Sequence, residues 1–270
     1  MHVLCIGAHP DDNEYHIGGT AALLARRGAR VRFVSLTDGS KGHFAPDYIA
    51  DPDALARRRY REASAAAKVI GADYETLGVP DGEVYVTPAL TEMIVRLIRT
   101  AGPAGDGPDL VLLNRPTDYH RDHRYTAQLV LDAAYMLTVP AMCPDTPALR
   151  RMPVLAYWHD RFTEGGTFRA DVAVDIDAAV EQKIDMVAQH ESQFYEWIPY
   201  NQGFHTDFGG FPADPAARRE RLASFVCGHA ASVRASCGHL LAPGATFAEA
   251  FQLSEYGSRP EEKRLRELFP

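Results

Sequence analysis

Short apolar runs that alternate with helix-patterned stretches constrain this 270-residue chain more than any other feature. His2–Ala8 reads as a buried strand, with Val3, Leu4 and Ile6 running into Gly7 and a polar turn. Gly18–Arg27 reads as a helix, with Ala21, Leu24 and Ala25 at helical spacing and Gly28 as its stop. Val31–Leu36 is a second strand, and the polar stretch Thr37–Tyr48 is a loop. Asp53–Ile70, rich in Ala and Arg, is helical and ends at Gly71. Tyr74–Leu77 is a third strand. Pro88–Thr100 carries Leu90, Ile94, Leu97 and Ile98 on one helical stripe, and Leu110–Leu113 is a further buried strand. This alternation implies βαβ units. The expected fold is α/β: a single domain with a mostly parallel, Rossmann-like sheet and helices on both faces.

After about residue 140 the pattern weakens. Pro140–Pro153 reads as a loop, Val154–Trp158 and Val172–Ile176 as strands, and Asp177–His190 as a helix. Tyr195–Pro215, rich in aromatics and Gly, reads as an ordered loop over a site. Neither a repeat nor a linker divides the chain, so residues 1–270 are expected to form one unit.

The formal charge of −8 argues against general nucleic-acid binding, which depends on neutralising phosphates. The basic run Arg57–Arg61 is local and reads as a solvated helix face. No stretch approaches the roughly 20 apolar residues of a membrane span. The N-terminus lacks the basic-then-apolar layout of a signal peptide. Cys5, Cys143, Cys227 and Cys237 are far apart, which fits free thiols in a reduced compartment. The expectation is a cytoplasmic protein with a small-molecule partner and no nucleic-acid or membrane partner. A homo-oligomer is left open.

Two polar clusters follow predicted strands: His9-Pro10-Asp11-Asp12-Asn13-Glu14 and Asp118-Tyr119-His120-Arg121-Asp122-His123. Parallel sheets place ligands at the C-terminal ends of their strands. If the two strands are neighbours, the clusters face each other. A turn or helix cap explains a lone His-Pro-Asp. It does not explain Asp11 beside Asp12, because adjacent carboxylates near a buried crevice repel unless a cation sits there. Zinc accepts imidazole nitrogen with carboxylate oxygen and, in catalytic sites, three protein ligands. His120 and His123 share one face if that segment is helical. Spacing alone does not say which of them is a ligand.

His9-Pro10-Asp11-Asp12 with Glu14 and Gly18-Gly19 resembles the A-H-P-D-D-x-E signature of the LmbE/PIG-L family of zinc-dependent N-deacetylases. Thr37-Asp38-Gly39 to Gly42 is similar to that family's T-x-G-x-x-G loop, and Arg59 with Glu62 to its R-x-x-E helix. Leu77-Gly78-Val79-Pro80-Asp81-Gly82 resembles its L-G-x-x-D-G turn. His120-x-Asp122-His123 resembles its H-P-D-H motif, and Gln189-His190-x-Ser192-Gln193 a late H-x-S-Q element. The likeness runs in order to about residue 195, so 196–270 is expected to supply substrate-side loops and an extension. His16 stands where this family has small residues or Cys; it reads as the start of the helix, with a pocket residue the competing role.

The resemblance implies His9, Asp12 and His123 as ligands of Zn2+, with Fe2+ an alternative on the same residues. It implies Asp11 as general base, and His120 as oxyanion donor and, when protonated, acid for the leaving amine. Asp122 either pairs with His120 or caps a helix. Arg59, Asp81 and His43 are candidate substrate contacts; a salt bridge or turn is the competing role for the first two. Glu14 is expected to orient a ligand, and His190 to close the site or end a helix. Tyr195, Trp197, Tyr200 and Phe204 form either a sugar-stacking wall or an aromatic core patch. The implied activity is removal of an acetyl group from an N-acetylated amino sugar or sugar conjugate. The rivals are hydrolysis of another N-acyl or thiol-sugar conjugate, and a non-catalytic metal-dependent sugar-binding protein.

Overall fold

Seven strands form one sheet in a computed structural model that describes residues 1–202 and 214–270. They are β1 (His2–Gly7), β2 (Arg30–Thr37), β3 (Asp73–Val79), β4 (Leu110–Leu113), β5 (Val154–Trp158), β6 (Val172–Asp175) and β7 (Ala248–Leu253). Their spatial order is β3-β2-β1-β4-β5-β7-β6. The first five pair in parallel, and β7 lies antiparallel between β5 and β6.

The helices are α1 (Asp12–Arg26), α2 (Pro46–Ala50), α3 (Pro52–Lys68), α4 (Pro88–Thr100), α5 (Arg121–Met136), α6 (Val180–Gln189), α7 (Ile198–Asn201), α8 (Pro215–Cys237) and α9 (Glu262–Leu268). Successive side chains of a strand point to opposite faces. Val3 and Cys5 therefore pack with Ile17, Leu24, Ala66 and Met186 of α1, α3 and α6. Leu4 and Ile6 pack on the other face with Ile94, Ile98, Val130 and Ala134 of α4 and α5. Both faces are covered, so the strand must be apolar at every position, and each fully buried Leu or Ile contributes roughly 1.5–3 kcal/mol. Among the described residues, no helix is long and apolar enough to cross a membrane.

The chain runs outward from β1 to β3, then returns to β1's other edge to lay down β4. The order reverses between β1 and β4, where Cys5 lies opposite Leu112 and Ile6 opposite Leu113. Such a reversal opens a crevice at the carboxyl ends of the two strands. Both polar clusters begin there.

Sequence periodicity did not reveal β7. Its Ala-Glu-Ala-Phe-Gln-Leu alternation carries a buried carboxylate, Glu249, at 2% exposure. That charge accepts from Gly19 N and Thr20 N of α1 and from Lys183 Nζ of α6 at 2.5–2.9 Å. The C-terminal quarter thus adds a strand to the sheet and a buried ion pair against α1.

Candidate metal centre

Gly7 ends β1, and the chain turns through Ala8–Asp11 into α1. Asp12, the first residue of that helix, folds its carboxylate back under the turn. Its Oδ2 accepts from Ala8 N at 2.8 Å and His9 N at 2.9 Å, which turns Oδ1 toward the second cluster. A Cβ on Gly7 would lie 2.7 Å from Asp12 Cβ, so only glycine lets the carboxylate in. Gly7→Ala is expected to push Asp12 out and weaken metal binding by at least about tenfold, measured by competition with a chromophoric chelator.

On the other side, α5 starts at Arg121 with His120 as its N-cap and His123 in its first turn. His9 Nδ1 lies 3.1 Å from His123 Nε2. Asp12 Oδ1 lies 3.5 Å from His123 Nε2, and Asp12 Oδ2 3.9 Å from His9 Nδ1. Ligand bonds of about 2.1 Å in a tetrahedron need separations of about 3.4 Å. His120 also offers a nitrogen within 4.8 Å of those of His9 and His123.

Proton placement sharpens the fit. His9 Nε2 faces Asp81 Oδ1 at 3.2 Å and Asp122 Oδ2 at 3.6 Å, and His123 Nδ1 faces Asp118 Oδ2 at 3.0 Å. Each carboxylate draws the ring proton to its own side, as outer partners of metal-bound histidines do. His9 Nδ1 and His123 Nε2 thus face each other at 3.1 Å, with Asp12 beside them. A shared proton or a metal ion satisfies two ring nitrogens and a carboxylate so placed, and the three residues suit a divalent ion.

Without an ion the electrostatics place a proton there. Burial opposes a charged His9, but hydrogen bonds to Asp122 and Asp81 raise it to about 10. His9 Nδ1–H therefore donates to His123 Nε2, and a metal would displace that proton. Burial would raise Asp12, but His123 and His9 outweigh it and hold the carboxyl at about 2. Burial pushes Asp11 up to about 6 against the pull of Arg59.

His120 departs from expectation. Burial, then His9 and His123, lower its proton affinity, so its surroundings favour the neutral ring over the imidazolium. Its Nδ1 accepts from Asp122 N at 3.2 Å, which places its proton on Nε2. The carboxylate of Asp122 does not pair with His120. It accepts from Gly82 N at 2.7 Å and Val84 N at 3.3 Å and faces His9.

Asp11 has φ 149°, a strained value for a residue with a side chain. Arg59, 2% exposed, holds it from below: Nη2 donates to Asp11 Oδ1 at 3.3 Å and Pro10 O at 3.0 Å, and Nη1 to Gly39 O at 3.2 Å. A Cβ at Gly39, where φ is +66°, would sit 2.6 Å from that guanidinium. The glycine loop therefore encloses Arg59. It fixes Asp11 and also borders the cavity, and the sequence could not show that it lies beneath the carboxylate.

Asp81 does border the cavity, but its two oxygens serve His9 and Lys41 N. His43 lies away from the cavity lining; its Nε2 meets Glu196 Oε2 at 2.8 Å. Arg58 grips the same carboxylate with both terminal nitrogens at 2.7 and 2.8 Å. Burial alone would raise Glu196, but His43 and Arg58 hold it at about 2, below its ordinary 4.5. The folded carboxyl is the stronger acid, so this clamp stabilises the fold above about pH 4.5 and is lost as pH falls toward 2. Glu196→Gln is expected to flatten that loss, worth about 1–2 kcal/mol after screening, in urea unfolding at pH 7 and pH 3.

Asp118 was given no role by sequence reasoning, although it sits in the second cluster. Its five-residue spacing before His123 was the available signal. Glu14 and His190 are both buried and face each other at 3.4 Å behind Asp11.

The cluster floors a cavity of about 520 Å³. Trp158, Phe194, Trp197 and Phe225 line its walls. Of the four aromatics expected as a wall, Trp197 faces the cavity, Tyr195 lies under Arg218, and Tyr200 stacks on Phe44 at 4.2 Å. Phe204 lies outside the described residues.

The sequence pattern described as "PIG-L: GlcNAc-PI de-N-acetylase" matches residues 4–134, which span both clusters. The diacetylchitobiose deacetylase of Thermococcus kodakarensis is 31% identical over 211 residues, covering 73% of this chain and 74% of that protein. A 4-oxalmesaconate hydratase of Pseudomonas putida is 26% identical over 203 residues, covering 74% and 76%. The solved N,N'-diacetylchitobiose deacetylase of Pyrococcus horikoshii superposes with a TM-score of 0.72 at 22% identity, over 94% of this chain and 84% of that one. The match through both clusters, and the likeness along most of a deacetylase's length, place the chain in the PIG-L (LmbE-like) family.

Proposed function

We propose that the protein is a metal-dependent N-deacetylase that removes an acetyl group from an N-acetylated amino sugar or sugar conjugate. The observation that carries this reading is the meeting of two ring nitrogens and the Asp12 carboxylate, 3.1–3.9 Å apart, beside the strained Asp11. His9, Asp12 and His123 would hold the ion, Zn2+ or Fe2+. When bound, such an ion polarises the amide carbonyl and acidifies water.

Asp11 accepts the proton of the attacking water, and Arg59 keeps its carboxylate in one orientation. His120 offers Nε2–H to the carbonyl oxygen as that oxygen gains charge. Water adds to the carbonyl carbon, the carbon–nitrogen bond breaks, and acetate and a free amine leave. The proton taken by Asp11 is the one the amine needs. Aromatic walls above this floor suit the apolar face of a sugar ring.

The names of the relatives support a deacetylase, but one of them is a hydratase, so family membership alone does not choose the reaction. The deciding experiment incubates the metal-loaded protein with N-acetylglucosamine, diacetylchitobiose and an N-acetylglucosaminyl-inositol. Acetate released in step with free amine supports the reading. Amine released only from N-butanoylglucosamine, run alongside them, favours the broader amidase, and no amine from any of these N-acyl sugars overturns the proposal.

A further inference from the structure

His16 lies one turn after Asp12 on α1, and its ring borders the cavity. The ring is fixed on three sides. It stacks on Trp158 at 5.3 Å and 9°, and meets Tyr15 and His229 edge-on at 5.1 and 5.8 Å. Nδ1 is sealed from solvent and has no partner, which leaves Nε2 as the nitrogen open to the cavity. A sealed N–H without an acceptor is among the rarest and costliest arrangements in a folded chain. The proton therefore belongs on Nε2. Burial also keeps the imidazole neutral, lowering it to about 4. The ring thus presents a single fixed donor.

His16 is not a second copy of His120. The ring of His120 packs on His9 at 4.7 Å, on the side of Asp81 and Asp122. His16 instead packs on Trp158, Tyr15 and His229, whereas the His120 ring meets His9, Tyr119 and His123. Both residues border the same cavity. One donor set in an aromatic surface suits a molecule that is apolar on its ring face and rich in acceptor oxygens at its edge.

We propose that His16 is a specificity residue whose Nε2–H donates a hydrogen bond to an oxygen of the amino sugar, with Trp158 as the platform behind it. This rests on the deacetylase reading. The test compares wild type, His16→Ala and His16→Gln, all metal-loaded, on N-acetylglucosamine and diacetylchitobiose. His16→Ala is expected to raise KM about tenfold with kcat within about twofold, the size of one neutral hydrogen bond made equally in ground and transition states. His16→Gln, which keeps an N–H donor, recovers most of the loss. An unchanged KM in His16→Ala overturns the proposal, and so does a fall in kcat alone, which would put His16 in the chemical step. If the wild type releases no acetate, the deacetylase reading fails and takes this one with it. If the wild type is active and both variants match it, only the role of His16 fails. Nitrogen-15 NMR of the wild type adds a readout independent of turnover and of variant folding: the proposal requires the Nε2–H tautomer, and Nδ1–H overturns it.

Discussion

Asp11→Asn is expected to retain bound metal and to lose about 10²–10⁴-fold in kcat on whichever N-acetyl sugar the wild type hydrolyses. The amide has nearly the carboxylate's shape, and its oxygen still accepts from Arg59 Nη2. What it lacks is the ability to take a proton. Metal should stay because the three proposed ligands are elsewhere, on His9, Asp12 and His123. Arg59 is buried and keeps Pro10 O and Gly39 O, but loses its carboxylate, so a stability loss of about 1–3 kcal/mol is also expected. Steady-state rates well below the melting temperature separate the two effects. Undiminished turnover removes Asp11 as the base. Loss of metal instead makes Asp11 a ligand.

His9→Ala is expected to take bound metal from about one ion per chain to near none and to abolish turnover beyond about 10³-fold. Elemental analysis after dialysis checks the first, and amine release the second. The alanine removes the nitrogen that faces His123 and leaves Asp81 and Asp122 without the ring they orient. Stoichiometric metal in this variant sinks the assignment. The wild type provides the complementary test. A ligand at a thousandfold excess over its Kd stabilises a fold by about 4 kcal/mol. For a chain of this size that corresponds to roughly 10 °C in Tm. Chelation should therefore lower Tm by about that amount, and added zinc should restore it. A Tm indifferent to chelator and zinc contradicts a resident ion that stabilises the fold.

The parts legible from sequence were those written in local patterns. Leu110–Leu113, Val154–Trp158 and Pro88–Thr100 were read with the limits that the structure has. Their signals are continuous apolar runs and a 3.6-residue stripe, both set by neighbours in sequence. β7 was missed because its signal is not local. A strand with glutamate inside it reads as exposed until Lys183 and the α1 amides, far away in the chain, are brought to that glutamate. Arg59 takes the salt bridge expected as one of its two roles while also bordering the cavity, and His43 pairs with Glu196, a partner that spacing does not reveal. Both sit in segments whose place against the first cluster depends on how α3 and the glycine loop pack.

The sequence alone determined the kinds of atom available: imidazoles and paired carboxylates after two buried strands, in an order that resembles one family. It also made a nearby positive charge the expectation, since adjacent negative charges at a buried turn are costly, and Arg59 supplies one to Asp11. Tertiary structure decided which of those atoms meet. Parallel pairing of β1 with β4 set His9 against His123. Asp81, Asp118 and Asp122 then chose which nitrogen of each ring keeps its proton. A ring's tautomer depends on a partner within about 3 Å, and that partner is a fact of folding rather than of spacing along the chain.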